Sequence, residues 1–209
     1  MYLPTDFEET DPQRIAALIE ANPFGMLITT ADGAPFVTHL PFLYEVADDT
    51  QGRLLGHVAK ANPQWRHFAA GQEVLTVFQG PHAYVSPAWY ASPGVPTWNY
   101  AVVHLRGRPR LIESAAALEA LLERLTHAHE AAQTEPWKAN LNGKRRDQLF
   151  NMIVGFEIEV TEIQAKFKLS QNRSVTDRQR VIQALSQSDR PTDHAVAQLM
   201  SALSKPIEP

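Results

Sequence analysis

Polar side chains able to hold a ligand gather at four places in this sequence. The first is His57-Val58-Ala59-Lys60-Ala61-Asn62-Pro63-Gln64, where a strand gives way to a helix. A helix N-terminus offers free N–H groups and the positive end of a dipole, and Lys60 adds a full charge, so a phosphate suits the position. An ordinary Asn N-cap beside a solvated lysine accounts for the same residues. The second is Lys166-Phe167-Lys168-Leu169-Ser170-Gln171-Asn172-Arg173. Its two lysines share one face of a strand, and four hydrogen-bonding side chains follow, enough to grip a phosphate or a sugar chain. A solvated turn at an exposed strand end is the plainer reading. The third is His39, two residues before Pro41, whose missing N–H marks an edge or a bulge.

The fourth lies in Val95 to Leu111, VPTWNYAVVHLRGRPRL. Pro96 can open a strand, and the run of Trp, Tyr, Val and His after it has high strand preference, with Gly107 and Pro109 read as its stop. Alternation puts Trp98, Tyr100, Val102 and His104 on one face and Asn99, Ala101, Val103 and Leu105 on the other. Apolar groups on both faces predict a strand covered on both sides. Asn99 and His104 then need partners, either neighbouring backbone or a ligand.

Other chemistries find little support. Without a cysteine, disulfides, thiolate metal sites and thiol nucleophiles are excluded. His127 and His129 are two apart on a helix and point to different faces, unlike a helical zinc pair, so no metal site is expected. No GxGxxG, GxxxxGK[ST] or GxSxG motif is present. Lys144-Arg145-Arg146 reads as a solvated helix start. A net charge of −4 gives no support for strong nucleic-acid binding. The two C-terminal helices resemble a helix-turn-helix only weakly, because no basic face follows the turn. The N-terminal stretch MYLPTDFEETD is acidic and unlike a signal peptide, and no apolar run approaches the length of a membrane span. A soluble, cytoplasmic protein is expected.

The elements that must position these residues follow from turn and cap signals. Asp11-Pro12 starts a helix that Asn22-Pro23 ends. Asp32-Gly33 joins two apolar runs, Phe24 to Thr30 and Pro35 to Tyr44, as a hairpin. A polar turn at 48–52 leads to a strand over Leu54 to Ala59, then Asn62-Pro63 caps a brief helix. Glu73 to Gln79 and Ala83 to Val85 read as strands interrupted by Gly80-Pro81. Ser114 caps a helix carrying Leu118, Leu121, Leu122 and Leu125, and a weak connection through Trp137 reaches a short helix from Lys144 to Phe150. Ile153 to Lys168 is a long last strand. Ser174 with Asp177 resembles a capping box for one closing helix, and Pro191 opens another. About six to seven strands in hairpin or meander order, with helices at the ends, predict a mostly antiparallel α+β fold with a barrel-like sheet.

Long stretches of the chain resemble the PaiB family of FMN-binding negative transcriptional regulators. They are MYLPTDF at the start, THLPF at 38–42, GHVAKANPQW at 56–65, VSPAWYASPGVPTWNYAVVHLRG at 85–107, IVGFEIEV at 153–160 and KFKLSQNR at 166–173. The resemblance implies a split β-barrel like that of the pyridoxamine-phosphate oxidase-like flavoproteins, spanning 1–170, with 171–209 as a helical appendage. It implies FMN as cofactor and a homodimer with flavin at the subunit interface. Carried onto this sequence, His57, Lys60, Asn62 and Gln64 become the phosphate end, and His39 and Pro41 lie near the flavin ring. Lys168, Ser170, Gln171, Asn172 and Arg173 close the site, and Trp98, Asn99 and Tyr100 line the pocket or the dimer seam. Three functions follow from it: a dimeric flavin-binding sensor that represses transcription with weak DNA or protein contact, a flavin-dependent oxidoreductase on a small molecule, or a cofactor-free barrel acting through protein contact.

Overall fold

A computed structural model describes residues 1–46, 51–137 and 143–203, with backbone alone at 69 and 70. The expected turn at 48–52, the connection after Trp137 and the end of the 171–209 segment lie partly outside these residues. The strands are β1 (Glu8–Glu9), β2 (Phe24–Ala31), β3 (Ala34–Pro41), β4 (Leu43–Glu45), β5 (Arg53–Ala59), β6 (Val74–Val85), β7 (Thr97–Ile112) and β8 (Ile153–Lys168). The helices are α1 (Pro12–Ala21), α2 (Ala115–Glu130), α3 (Gly143–Phe150), α4 (Val175–Ser186) and α5 (Pro191–Leu203), with short 3-10 turns at Thr5–Phe7, Pro63–Ala70 and Pro87–Trp89. Sheet order is β3-β2-β6-β7-β8-β5-β4, and β1 pairs with β8. The pairs β1·β8, β2·β3, β2·β6, β4·β5 and β5·β8 are antiparallel. β1 and β4 bring the strand number above the expected six to seven, because strands of two and three residues carry no readable alternation.

The chain forms two compact units. One holds Met1–Leu18, Gln79–Val103 and Gln164–Pro209, the other Ile19–Phe78 and His104–Ile163. Each takes a part of β6, β7 and β8.

The second unit is built on the β2–β3 hairpin. Asp32 and Gly33 both have positive φ, 52° and 76°, the type I′ geometry that matches strand twist and favours Asp-Gly. Pro41 closes β3, the last strand in the sheet order, where a missing N–H costs no ladder bond. Ser114 accepts a hydrogen bond from Ala117 N and starts α2, whose Leu118, Leu121 and Leu125 pack with Leu55 of β5. The 3.6-residue stripe read from the sequence is the face that is buried. An aromatic group, Phe42, Phe68, Phe78 and Phe156, meets edge to face with centroids 5.1–6.2 Å apart.

In the first unit, Ser174 caps α4 by accepting from Asp177 N, and α4 packs with α5 through Val181, Leu185, Val196 and Met200.

Three strand expectations need correcting. β6 runs unbroken through Gly80-Pro81. A Cβ at Gly80 would lie 2.7 Å from Leu18 Cδ1 and 3.2 Å from Ala101 O, so the glycine permits close packing rather than breaking the strand. β7 likewise continues past Gly107 and Pro109 to Ile112. At Gly107 a Cβ would meet Glu159 O at 2.4 Å. Nor is β7 covered equally on both sides. Asn99, Ala101, Val103 and Leu105 are buried, whereas Trp98 is 47% exposed and Tyr100, Val102 and His104 are half-buried.

Candidate functional site

The 57–64 segment folds as a strand end and a 3-10 start. Asn62 Oδ1 accepts from Gln64 N at 3.0 Å, the cap expected of Asn-Pro, while its amide donates to Thr38 Oγ1 at 2.9 Å. Gln64 is fully buried, and its Nε2 donates to Leu27 O, Thr29 Oγ1 and Phe36 O at 3.0–3.1 Å. Three acceptors for two N–H bonds mean that one bond is shared. Thr29 Oγ1 also meets His67 Nδ1 at 2.8 Å. Asn62 and Gln64 therefore tie the Pro63–Ala70 turn to the β2–β3 hairpin, and Gln64 Oε1 is the one buried amide oxygen of this tie without a partner among the described residues.

Lys60 is different. Its N–H donates to Met152 O at 2.8 Å and its carbonyl accepts from Trp65 Nε1, but its exposed ammonium has no partner among the described residues. His57 alternates with Leu55 and so lies on the β5 face that α2 covers; burial pushes its pKa down. His57 Nδ1 is buried without a partner among the described residues. His39 is exposed and stacks on Phe24 with centroids 6.2 Å apart, and Pro41 is paired with Phe24 across the hairpin. These six residues belong to the second unit.

The remaining eight belong to the first. Lys168 Nζ donates to Thr97 Oγ1 at 2.5 Å and Trp98 O at 2.6 Å, and its pKa is lowered by burial first and then by Lys166. Ser170 takes a left-handed conformation, φ 65°, and its hydroxyl meets the Asn99 amide at 3.0 Å. Asn99 also donates to Met200 Sδ at 3.3 Å, which joins β7 to α5. Gln171 folds back on its own turn, accepting from Leu169 N and donating to Phe167 O. Asn172 is exposed. Arg173 donates to Pro93 O at 3.3 Å and lies 4.4 Å over the Tyr90 ring. Trp98 stands beside His82 and Tyr84, with centroids 6.1 Å away from each, and Tyr100 flanks the Lys166 ammonium at 5.6 Å.

The sequence singled out Asp177 only as the acidic partner of Ser174 in a capping box. Beyond its capping position it accepts from Ala91 N at 2.6 Å, Ser92 N at 3.4 Å and Ser92 Oγ at 2.5 Å. The Ser92 hydroxyl bond, with the two backbone bonds, holds its carboxyl below the usual range. With Arg173 it fastens the SPAWYASPG loop to the start of α4. The acidic residue in place of Glu three positions after Ser174 was the one available signal. Among the described residues, no group of three or more His, Cys, Asp or Glu could hold a metal, and no helix is long and apolar enough to cross a membrane.

The mostly antiparallel sheet and its strand order are those of a split β-barrel fold. Solved structures of similar fold include the flavocytochrome Anf3 of Azotobacter vinelandii, with a TM-score of 0.60 and 17% identity over 77% of this chain and 69% of that one. A FAD and heme binding protein of Mycobacterium smegmatis also has a TM-score of 0.60 and 17% identity, over 77% of this chain and 73% of that one. At that identity the likeness is one of fold. A family model described as "Putative FMN-binding domain" matches residues 1–162. The protease synthase and sporulation protein PAI 2 of Bacillus subtilis is 40% identical over 96% of each chain. An uncharacterized protein of Emericella nidulans is 31% identical over 87% of this chain and 89% of its own. The chain belongs to this FMN-binding family, the PaiB family, and FMN is its cofactor.

The donor set fits that cofactor. FMN joins a phosphate to a planar ring, and each unit by itself offers both kinds of group: an ammonium without a carboxylate partner among the described residues and an exposed ring, Lys60 and Phe24 in the second unit, Lys168 and Trp98 in the first.

Proposed function

We propose that this PaiB-family protein works in the cytoplasm as a homodimeric flavin-binding sensor that lowers transcription indirectly, through a partner rather than by reading DNA. Bound flavin supplies one- and two-electron redox chemistry. The chain's own residues hold and orient it: Lys60 neutralises the phosphate from the head of the 3-10 turn, with His57 on the strand that leads into it. Lys168, Ser170, Gln171, Asn172 and Arg173 close the site, His39 and Pro41 lie by the ring, and Trp98, Asn99 and Tyr100 form the wall or dimer seam. Asn62 and Gln64 act in this reading by fixing the turn that carries Lys60, and Asn99, Ser170 and Gln171 by fixing the strand end that carries Lys168, because their polar groups are engaged within the fold. The observation that carries the proposal is Lys60 itself, an exposed ammonium free of protein partners among the described residues, inside GHVAKANPQW.

The absorbance spectrum of the protein as purified tests the reading, together with FMN titration of Lys60→Ala. Flavin bands in the wild type and an affinity about tenfold weaker in the folded variant are expected. Absence of flavin and no binding on titration would reject it. Rapid flavin reduction by NADH or NADPH would favour the oxidoreductase instead, and salt-sensitive promoter binding would favour direct DNA contact.

A further inference from the structure

We propose that Lys166 and Lys168 form an oxyanion-binding site for a phosphate group. The two residues are two apart on β8, so their side chains leave the same face about 7 Å apart. Lys166 is only 8% exposed. Its ammonium donates to Tyr2 O at 3.1 Å and lies between the Tyr2 and Tyr100 rings, 5.3 and 5.6 Å from their centroids. Lys168 donates to Thr97 Oγ1 and Trp98 O and lies 5.9 Å from the Phe7 ring.

Every one of these partners is neutral. Of six N–H bonds on the two ammonium groups, three have acceptors among the described residues. Among the described residues, no carboxylate comes within the 4.0 Å of an ion pair with either. Glu8 stands across from Lys166 in the β1·β8 register but points its exposed side chain to solvent, and the next carboxylate, Glu9, is held by Arg14. Two like charges at this separation repel, and burying one of them removes the water that would otherwise screen it. The lowered pKa of Lys168 reflects burial first and that repulsion second. An anion bound to both would offset that repulsion. A tetrahedral oxyanion can accept charge-assisted N–H···O bonds of about 2.8 Å from two ammonium groups at once. The phosphate belongs either to FMN, in which case Lys166 and Lys168 hold it in place of Lys60, or to a separate phosphorylated molecule, and the site stands on its charges whether or not the flavin reading holds.

The test is calorimetric titration of the flavin-free full chain with inorganic phosphate, ionic strength being held constant with chloride. Saturable binding near the millimolar range is expected, about tenfold weaker in Lys168→Met and in Lys166→Met, and unchanged in the exposed control Arg108→Met. Lys166 is buried, so Lys168→Gln provides the reading if Lys166→Met does not fold. Parallel titrations with FMN and riboflavin identify the source. If FMN loses its advantage over riboflavin in Lys168→Met, the phosphate is the flavin's own. If that advantage persists and inorganic phosphate still binds the FMN-loaded protein, it is another molecule's. A wild type that binds phosphate but neither flavin keeps the site and removes the flavin reading. No saturable phosphate binding, or equal affinity in wild type and the lysine variants, overturns the proposal.

Discussion

The 57–64 and 166–173 segments look alike as sequence, each a strand end rich in amides and lysines, yet the fold uses them differently. In the first, the amides turn inward: Asn62 and Gln64 bond to the hairpin, and Lys60 is left outside with nothing to hold among the described residues. In the second, the lysines turn inward and bond to neutral oxygens, while Gln171 caps its own turn. A buried amide can satisfy itself on backbone, whereas an ammonium bonded only to neutral oxygens has no counter-charge. Composition alone does not separate a structural bolt from a binding group; the partners do.

The contrast can be broken or sharpened by substitution. Gln64→Met should have the largest effect, because it keeps the volume but leaves Leu27 O and Phe36 O without their donor in a buried setting. A loss of about 3 kcal/mol is expected, read as the urea midpoint. A near-neutral result would remove the bolt from the comparison. Asp177→Asn should cost less than Gln64→Met, and it should free the SPAWYASPG loop to proteolysis. Its pH dependence has a definite sign. The folded carboxyl lies below its ordinary range, so its contribution is complete above the unfolded carboxyl pKa and is lost as pH falls from there through the folded value. The neutral amide of the variant removes that slope, and an unchanged acid-unfolding curve would refute the assignment. Asn62→Ala should cost about 1 kcal/mol through the lost cap. Lys60→Met should change stability by no more than about 0.5 kcal/mol while weakening FMN, the smallest structural effect and the clearest sign of a binding group.

Local signals are easy to read where the chemistry is local. Asp32-Gly33, the Asn62 and Ser114 caps, Pro12 at the start of α1 and the full extent of β8 follow from turn geometry, helix ends and alternation within a few residues. Gly80 and Gly107 read as breaks because the reason for each glycine is a neighbour distant in sequence: Leu18 and Ala101 for one, Glu159 for the other. Of the site, the positions of Lys60 and the Lys166–Arg173 run were legible. Which groups face a ligand was not, since Gln64 meets Phe36 and Leu27, and Asp177 meets Ser92, across separations of 28, 37 and 85 residues.

The sequence by itself therefore determined the longer elements apart from the extents of β6 and β7, the antiparallel α+β class and, through its long motifs, the FMN-binding family. Turns, caps and alternation are set by nearest neighbours and so are written in the chain. Only the tertiary structure decided that Asn62 and Gln64 are held inside, that Arg173 is engaged with Pro93 and Tyr90, and that Lys166 and Lys168 share one face with neutral partners. Hydrogen bonding and burial depend on what folding brings alongside, and no local pattern carries that information.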